Sequence, residues 1–454
     1  MLEGMVTRVS SCMRRAAGGD RARIVRYGRF LDNENVSLEA LLEGWGEQTA
    51  VAALGRHVLA IQDTSEINFK TKPERRRGLG EIGKGNSYGL LLHAMAAVDA
   101  DTDACLGLVA GKIWTRQGRV TVSHDQRPLE QKESERWIST ANRAKQVLSA
   151  AATVTVIDDR EGDIYAKWAS VSAASFHLLT RSMHDRVLAD GASMYATVAN
   201  WSLVDTTTID VVARADRPAR QAKLGLRFGR VPLKRPQNAS PSLPKTVELT
   251  LIEVVEVDLP ADIEPLHWYL LTTHDVSDVA SAWQIVNWYK KRWIIEQLFR
   301  LIKTQGLQLE DSRIETADRL LKLTAIAAKA AVMILQLVQA RDGRSAEPAS
   351  NAFNEEQIKL LAALATKYQG RTKLQRNPHH PQTLAWASWI IARLGGWDGY
   401  PRTRPHYYQA WPPILLGRRL RVGNPQRCVN QLARSRGRHV EILRPRLRIV
   451  FAAG

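Results

Sequence analysis

The chain has 454 residues, of which 44% are hydrophobic and 24% charged, as in a soluble globular protein of roughly two to four units. Lysine and arginine outnumber aspartate and glutamate by 64 to 46, giving a net charge of +18 that favours a polyanionic partner. Three widely separated cysteines exclude a disulfide scaffold, and the first 20 residues contain no apolar run typical of a signal peptide. We therefore expect a cytoplasmic, bacterial protein with no membrane partner.

In chain order, the sequence predicts helices over residues 1 to about 50, with Ser37 capping a helix that begins at Leu38. Apolar runs bounded by turn residues then predict a strand, a two-stranded hairpin, a helix, a strand, a helix and a strand. These segments are HVLAIQD (57–63), YGLLLHAMAAV (88–98), ACLGLVAGKIW (104–114), LEQKESERWISTANRAKQVLSAA (129–151), TVTVIDD (153–159), residues 164–174 and SFHLLTR (175–181). This order indicates an α/β fold with a ribonuclease-H-like mixed sheet.

The remaining chain divides into an insertion, a helical region and a basic end. Strand-like runs such as KLGLRFGRVPLKRP predict a β-rich insertion over about 182–275, and helical patterns return at Val279. The segment 320–340 is apolar but contains Lys322 and Lys329, which indicates a core or interface helix. We expect units at 1–50, 51–310, 311–416 and 417–454. Residues 418–454 contain ten arginines and one glutamate, which suits either a nucleic-acid-binding tail or an unstructured terminus.

Acidic residues follow two of the predicted strands. Asp63 ends the first strand and Asp159 ends a later one, and the chain order places both at one end of the sheet. An aspartate just past a strand is often a turn former or a helix cap. Asp158 and Asp163 are close by, so the pattern alone leaves the choice of acid open.

A helical segment supplies a more specific pattern. In WYKKRWIIEQLFRLIK, four polar residues fall within an arc of about 60° on a helix that is otherwise largely apolar; they are Tyr289, Arg292, Glu296 and Lys303. One interpretation is an internal ladder in which Arg292 pairs with Glu296 at i,i+4 over a packed Tyr289. The other is a polar stripe facing a functional cleft, since buried polar groups need partners.

This quartet, a tyrosine, two residues, an arginine, three residues, a glutamate, six residues and a lysine, resembles the signature of the fourth insertion-sequence family of DDE transposases. The strings IQDTS, VIDDREGDI, PLHWYLLTT, IARLGG and YGRFLDNENVS are also similar to that family, from about residue 20 to 400. The stretch before Tyr27 is shorter than in the family, and the sequence beyond about residue 417 departs from its helical ending.

The resemblance implies a catalytic triad of Asp63, Asp159 and Glu296 that holds two Mg²⁺ or Mn²⁺ ions per active site. It implies that Tyr289, Arg292 and Lys303 contact the DNA backbone. Trp268 in PLHWYLL and Arg181 in LLTRS match residues next to a flipped base, although a strand tryptophan is usually a core residue and a strand-end arginine is usually solvated.

At the level of the whole protein, the resemblance implies cut-and-paste DNA transposition through a hairpin intermediate. It implies double-stranded DNA (transposon ends and target) as the partner and a homodimer in the synaptic complex. The four units would then be an N-terminal DNA-binding region, a catalytic domain, a dimerisation domain and the basic tail. Two alternatives stay open: a non-catalytic or inhibitory DNA-binding relative, and a ribonuclease-H-like nuclease that does not transpose.

Overall fold

In a computed structural model of the chain, the structure describes residues 1–69, 78–83, 87–116, 127, 129–211, 219–258, 264–397 and 399. The predicted Arg-rich tail (417–454) lies outside these residues. The helices are α1 Leu2–Arg8, α2 Met13–Ala16, α3 Arg21–Asp32, α4 Leu38–Glu43, α5 Glu47–Ala52, α6 Arg136–Val147, α7 Tyr165–Ser170, α8 Met194–Ala199, α9 Val279–Lys290, α10 Trp293–Lys303, α11 Ala317–Ala340, α12 Glu355–Tyr368 and α13 Leu384–Leu394. The strands are β1 His57–Asn68, β2 Gly80–Ile82, β3 Ser87–Asp99, β4 Cys105–Trp114, β5 Thr153–Asp158, β6 Phe176–Arg181, β7 Asp205–Val211, β8 Arg220–Lys234, β9 Thr246–Val257 and β10 His267–Thr272.

The strands form one mixed sheet, in the order β2-β3-β1-β5-β6-β10-β9-β8-β7, with β4 also paired to β3. β1, β5 and β6 are parallel, whereas β3, β4 and the strands from β10 to β7 pair antiparallel with their neighbours. The prediction of a mixed α/β protein, with helical regions before and after the sheet in the sequence, is confirmed. The expected β-rich insertion does contain strands, but it is not a separate layer, because β10 pairs directly with β6.

Side-chain alternation along β1 places two different cores on the two faces of the sheet. Leu59 and Ile61 belong to the cluster that contains the buried apolar residues of α9, α10 and α11. Val58 and Ala60 belong to the cluster that contains buried residues of α6 and α7. We call these the α10 face and the α6 face. Each residue of a central strand therefore has a defined side of the sheet.

The helices differ from the sequence prediction mainly at their ends. Ser37 caps α4 as predicted, and its hydroxyl accepts a hydrogen bond from the Ala40 N–H. The helix expected over 129–151 begins only at Arg136, after two short 3₁₀ turns. The helix expected over 164–174 is the six-residue α7.

Helix α11 is the segment predicted as a core or interface helix. It is long and apolar enough to cross a membrane by length and composition, but 89% of its most apolar window is buried inside the protein. Its neighbours include β4, α1, α10 and α13. A helix of a soluble core has these properties, and α11 starts the helical region that was expected from residue 311.

The polar quartet does not lie on one continuous helix, contrary to the sequence prediction. α9 ends at Lys290 and α10 begins at Trp293. Between them the backbone makes i→i−3 hydrogen bonds, from Lys291 N–H to the Trp288 carbonyl and from Arg292 N–H to the Tyr289 carbonyl. Tyr289 therefore belongs to α9, Arg292 lies at the junction, and Glu296 and Lys303 belong to α10.

Candidate active site

The structure places Asp63 on β1 and Asp159 at the same level, immediately after the end of the neighbouring parallel strand β5. Ile61 pairs with Ile157 in the register of β1 and β5, and each aspartate follows its isoleucine by two residues. Because side chains alternate along a strand, both aspartates lie on the α10 face with those isoleucines. The register therefore places the two acids at the same end of the sheet, as predicted.

The same alternation distinguishes Asp158 from Asp159. The Asp158 carboxylate is fully buried on the opposite face, where it forms an ion pair with the equally buried Lys167. It also accepts hydrogen bonds from Gln62 Nε2 (2.7 Å) and Thr180 Oγ1 (2.9 Å). Gly162 packs against it so closely that a Cβ there would lie 2.4 Å from the Asp158 Cβ. Asp158 is thus enclosed by the protein, and Asp159 is the acid that faces the α10 side.

Arg292 joins Glu296 to Asp63. Its Nη1 donates to Asp63 Oδ2 at 3.0 Å, and its Nη2 donates to Glu296 Oε1 at 2.8 Å. The i,i+4 ion pair of the first interpretation therefore forms, and the same guanidinium also reaches the strand acid of the second. Tyr289 lies beneath, with 6% of its surface exposed.

Lys303, at the far end of α10, lies beside the same strand. Its Nζ donates to Ser65 Oγ at 3.2 Å and is 3.9 Å from Glu310 Oε1. Ser65 is two residues beyond Asp63 on β1, so the two side chains share a face. Arg292 and Lys303 thus line one strip of β1 with two positive charges, as the predicted stripe requires.

The pKa of Asp63 is raised by its surroundings. Burial raises the pKa of Asp63 to about 7, and the negative charge of Asp159 and, more weakly, of Glu296 adds to the rise. Arg292 and the Thr64 N–H act in the opposite direction but do not cancel it. Burial is thus the main reason that the pKa of Asp63 is raised, and the neighbouring carboxylates add to it.

Arg181 and Trp268 lie on β6 and β10, the two strands that follow β5 on the side away from β1. In the register of β5 and β6, Asp158 pairs with Thr180, so Arg181 lies one residue beyond that pair, as Asp159 does. Arg181 Nη2 donates to the His267 carbonyl at 3.1 Å. Trp268 is 5% exposed, and its ring centroid is 5.7 Å from that of Tyr289 in an edge-on arrangement. In this arrangement Trp268 is a core residue; its stacking on a base and the DNA contact of Arg181 stay predictions.

Three histidines gather at the other end of the same strands. Thr155 Oγ1 lies 2.8 Å from Nε2 of both His57 and His274, and the rings of His177 and His274 stack at 3.8 Å. Burial, together with His177 and His57, lowers the pKa of His274 to about 3. These imidazoles are neutral packing groups at neutral pH, in contrast to the charged end of the sheet.

The candidate triad fits a divalent cation in its chemistry, because hard cations prefer carboxylate oxygens. The raised pKa of Asp63 marks a place where a further positive charge would be stabilised. Within the described part of the chain, however, no group of three or more His, Cys, Asp or Glu side chains is already arranged to hold an ion. Arg292 holds Asp63 and Glu296 instead. The residues that could hold an ion are Asp63 and Asp159, joined by Glu296 once Arg292 releases it.

Several contacts of the site are not predicted from the sequence. The main-chain N–H of Thr64 donates to Asp63 Oδ1 (2.7 Å), and that of Glu161 donates to Asp159 Oδ1 (2.8 Å). Thr64, Ser65 and Glu161 lie in the strings IQDTS and DREGD, so their position in the sequence could have predicted that they contact the aspartates. Nothing in the sequence predicts the long-range partners of these strings.

Residues 122–333 match the family described as the transposase DDE domain. Members of that family are enzymes of the polynucleotidyl-transferase type, and the family generally uses divalent metal ions. The matched segment contains Asp159 and the whole quartet from Tyr289 to Lys303, whereas Asp63 precedes it.

Among solved structures, the chain is similar to the piggyBac transposase in a synaptic complex with hairpin DNA. The sequence identity is 11%, and the TM-score is 0.36. The alignment covers 84% of this chain and 57% of that chain, so this protein spans less than two thirds of the length of the relative.

Proposed function

We propose that this protein is a cut-and-paste DNA transposase of the fourth insertion-sequence family, with a ribonuclease-H-like core and Asp63, Asp159 and Glu296 as its catalytic carboxylates. The observation that carries the proposal is the convergence of these acids. Asp63 lies on β1 and Asp159 directly follows the neighbouring parallel strand β5, and the Arg292 guanidinium joins Glu296 (2.8 Å) to Asp63 (3.0 Å). The match to the transposase DDE domain over 122–333, which contains Asp159 and Glu296, supports the transposase part of this proposal.

The strand order supports the ribonuclease-H-like part of the proposal. β1, β3 and β4 form three antiparallel neighbours, and β5 and β6 continue parallel to β1 on its other side. This arrangement is the one expected from the predicted order of strands and helices. The strands from β10 to β7 extend it.

The proposed chemistry is in-line attack on a phosphodiester by water or by a 3′-hydroxyl. Two divalent ions, when bound, neutralise the phosphate and lower the pKa of the attacking water. Asp63, Asp159 and Glu296 would hold these ions, and Asp63 would have to be ionised to do so. Arg292 and Lys303 are cations on the same strip, and their side chains contact DNA phosphates while Arg292 exchanges its carboxylate partners for a phosphate.

We further propose that the DNA ends pass through a hairpin intermediate, with Tyr289 contacting the backbone and with Arg181 and Trp268 beside an extruded base. The buried position of Trp268 means that this role requires a rearrangement around Tyr289. The working form is a homodimer on double-stranded transposon ends and target DNA, in the bacterial cytoplasm. The net charge of +18 supports DNA as the partner.

The test is cleavage of DNA that carries the inverted repeats flanking the gene, with Mg²⁺ or Mn²⁺. We expect double-strand breaks at the repeat ends, lost on chelation and abolished in Glu296→Gln. Glu356→Gln, which changes an exposed glutamate of α12, is the matched control and should cleave normally. Specific binding without cleavage would favour the inhibitory relative. Cleavage of any DNA without preference for the ends would favour the nuclease.

A further inference from the structure

Arg136 is a buried cation on the α6 face, behind the proposed active site. It is the first residue of α6 and is 7% exposed. Its Nε donates to Thr64 Oγ1 at 2.9 Å, and its Nη2 donates to Glu161 Oε2 at 2.7 Å. Its Nη1 donates to the Glu133 carbonyl at 2.6 Å. A single planar guanidinium thus joins β1 to the turn that follows β5.

The two residues that Arg136 holds are the ones whose main chain orients the two aspartates. Thr64 N–H donates to Asp63 Oδ1, and Glu161 N–H donates to Asp159 Oδ1. Each aspartate is therefore fixed on the α10 face by a neighbour whose side chain is fixed on the α6 face. The same guanidinium therefore contacts both acid-bearing segments, in addition to the direct pairing of β1 with β5.

The Thr64 hydroxyl is the start of a longer buried chain of hydrogen bonds. Thr64 Oγ1 lies 2.9 Å from His93 Nδ1, and His93 Nε2 lies 3.1 Å from Gln62 Oε1. Gln62 Nε2 donates to Asp158 Oδ1 and to the Trp137 carbonyl. Since both of these partners accept, the orientation of the Gln62 amide is determined.

The direction of every proton in that chain then follows. Gln62 Oε1 must accept, so His93 Nε2 carries the proton and its Nδ1 is free to accept from the Thr64 hydroxyl. Thr64 Oγ1 in turn accepts from Arg136 Nε. All donors point from the cation Arg136 toward the anion Asp158, so changing one member disturbs the rest of a buried network.

We propose that Arg136 is a positioning residue that sets the separation of Asp63 and Asp159 for divalent-ion binding, acting through Thr64 and Glu161 from the opposite face of the sheet. This inference rests on the proposed function, because it concerns the same two carboxylates. Partners that orient metal ligands commonly contribute about 10- to 100-fold to affinity or activity.

Two variants remove the link in different ways. Arg136→Lys keeps the charge, but a compact ammonium cannot reproduce the guanidinium fork that spans Thr64 and Glu161. Thr64→Val removes only the hydroxyl and leaves the main-chain N–H that holds Asp63, with nearly the same side-chain shape. Arg143→Lys is the matched control, because Arg143 is an exposed residue of the same helix that contacts Gln146.

The readouts are Mn²⁺ binding to the full chain without DNA, by calorimetry and electron paramagnetic resonance, and Mg²⁺-dependent DNA cleavage. Thermal melting and metal-free DNA binding are recorded for every variant. We expect Arg136→Lys and Thr64→Val to raise the half-saturating Mn²⁺ concentration about 10- to 100-fold. Metal-free DNA affinity should stay at the wild-type value, and Arg143→Lys should match wild type in every assay.

The outcomes separate this inference from the proposed function. If the wild type binds Mn²⁺ in a way that Asp63→Asn abolishes, but Arg136→Lys and Thr64→Val bind like Arg143→Lys, the inference alone is wrong. It is also wrong if binding falls only in Arg136→Lys and in step with a lowered melting temperature, while Thr64→Val is unaffected. If the wild type neither binds Mn²⁺ at Asp63 nor cleaves DNA, both proposals fail.

Discussion

Asp158 and Asp159 are adjacent, but replacing each with asparagine should affect a different property. Asp158→Asn should lower the stability of the fold, and Asp159→Asn should abolish DNA cleavage. Asp158→Asn removes the carboxylate that pairs with Lys167 among the described residues, and both side chains are fully buried. Loss of one partner of a buried ion pair typically costs about 3–5 kcal/mol. Burial raises the pKa of Asp158, and the Lys167 ammonium acts in the opposite direction. Each of the two buried charges is therefore stabilised by the other.

Asp159→Asn should leave stability nearly unchanged. Asp159 caps the short 3₁₀ helix after β5 by accepting from the Glu161 N–H, and asparagine caps about as well as aspartate, within roughly 0.5 kcal/mol. The substitution also removes a negative charge that raises the pKa of Asp63. Cleavage, in contrast, should be abolished, because the amide cannot replace an anionic ligand.

The assay is urea denaturation followed by tryptophan fluorescence and circular dichroism, with DNA cleavage measured on the same preparations. At an m-value of about 1–3 kcal/mol per M, Asp158→Asn should lower the midpoint by about 1 M or more, and Asp159→Asn should not shift it. Combining Asp158→Asn with Lys167→Met should cost less than the sum of the single changes, since neither charge is then left unpaired. Equal losses of stability at positions 158 and 159 would refute the assignment of the two faces.

Three further results are expected. The pKa of Asp63 is about 7, above the value near 4 of an unfolded aspartate. The folded chain therefore holds that proton between about pH 4 and 7, and the free energy of unfolding falls as pH rises through this window. Asp63→Asn should remove this part of the dependence of the unfolding free energy on pH, measured by urea titrations, and an unchanged dependence would contradict the raised pKa. His274 has a pKa of about 3, so the unfolded state binds the extra proton below about pH 6.5 and stability falls as pH drops; His274→Gln should flatten the acid limb of a thermal-melting series, and a limb as steep as in wild type would argue against it. Lys303→Gln should reduce the slope of log affinity against log salt by about one unit in DNA binding, and the same slope as in wild type would exclude a phosphate contact by Lys303.

The local elements were largely predictable, and their partners were not. The run at 57–63 lies in β1, and the run at 153–159 forms β5 up to Asp158. β1 continues to Asn68 because pairing with β3 supports the polar residues after Asp63. The junction between α9 and α10 contains neither Gly nor Pro, so nothing in the sequence marks the i→i−3 turn there. The sequence pattern predicts the strands of the β-rich segment. It does not predict that this segment pairs with β6, because that pairing joins Leu270 to Arg181, residues far apart in the chain.

The candidate site shows the same division. Glu296 and Arg292 are four residues apart, so their pairing follows from helix geometry. The bond from Arg292 to Asp63 spans 229 residues, and that from Arg136 to Thr64 spans 72. An arginine in the string ESERW has the sequence context of an exposed first helical turn. Only the tertiary fold turns it inward.

The pairing of β10 with β6 also has a consequence for how copies of the chain meet. A sheet that stopped at β6 would present unpaired N–H and C=O groups immediately beside the carboxylates, and such an edge invites strand addition from another molecule. Here that side of the sheet ends three strands beyond β10, at β7. β7 is mostly exposed and polar, with Asp205 and Asp210 along it, and charged edge strands resist such pairing. Two copies of the chain are therefore kept from joining edge to edge at their proposed catalytic centres.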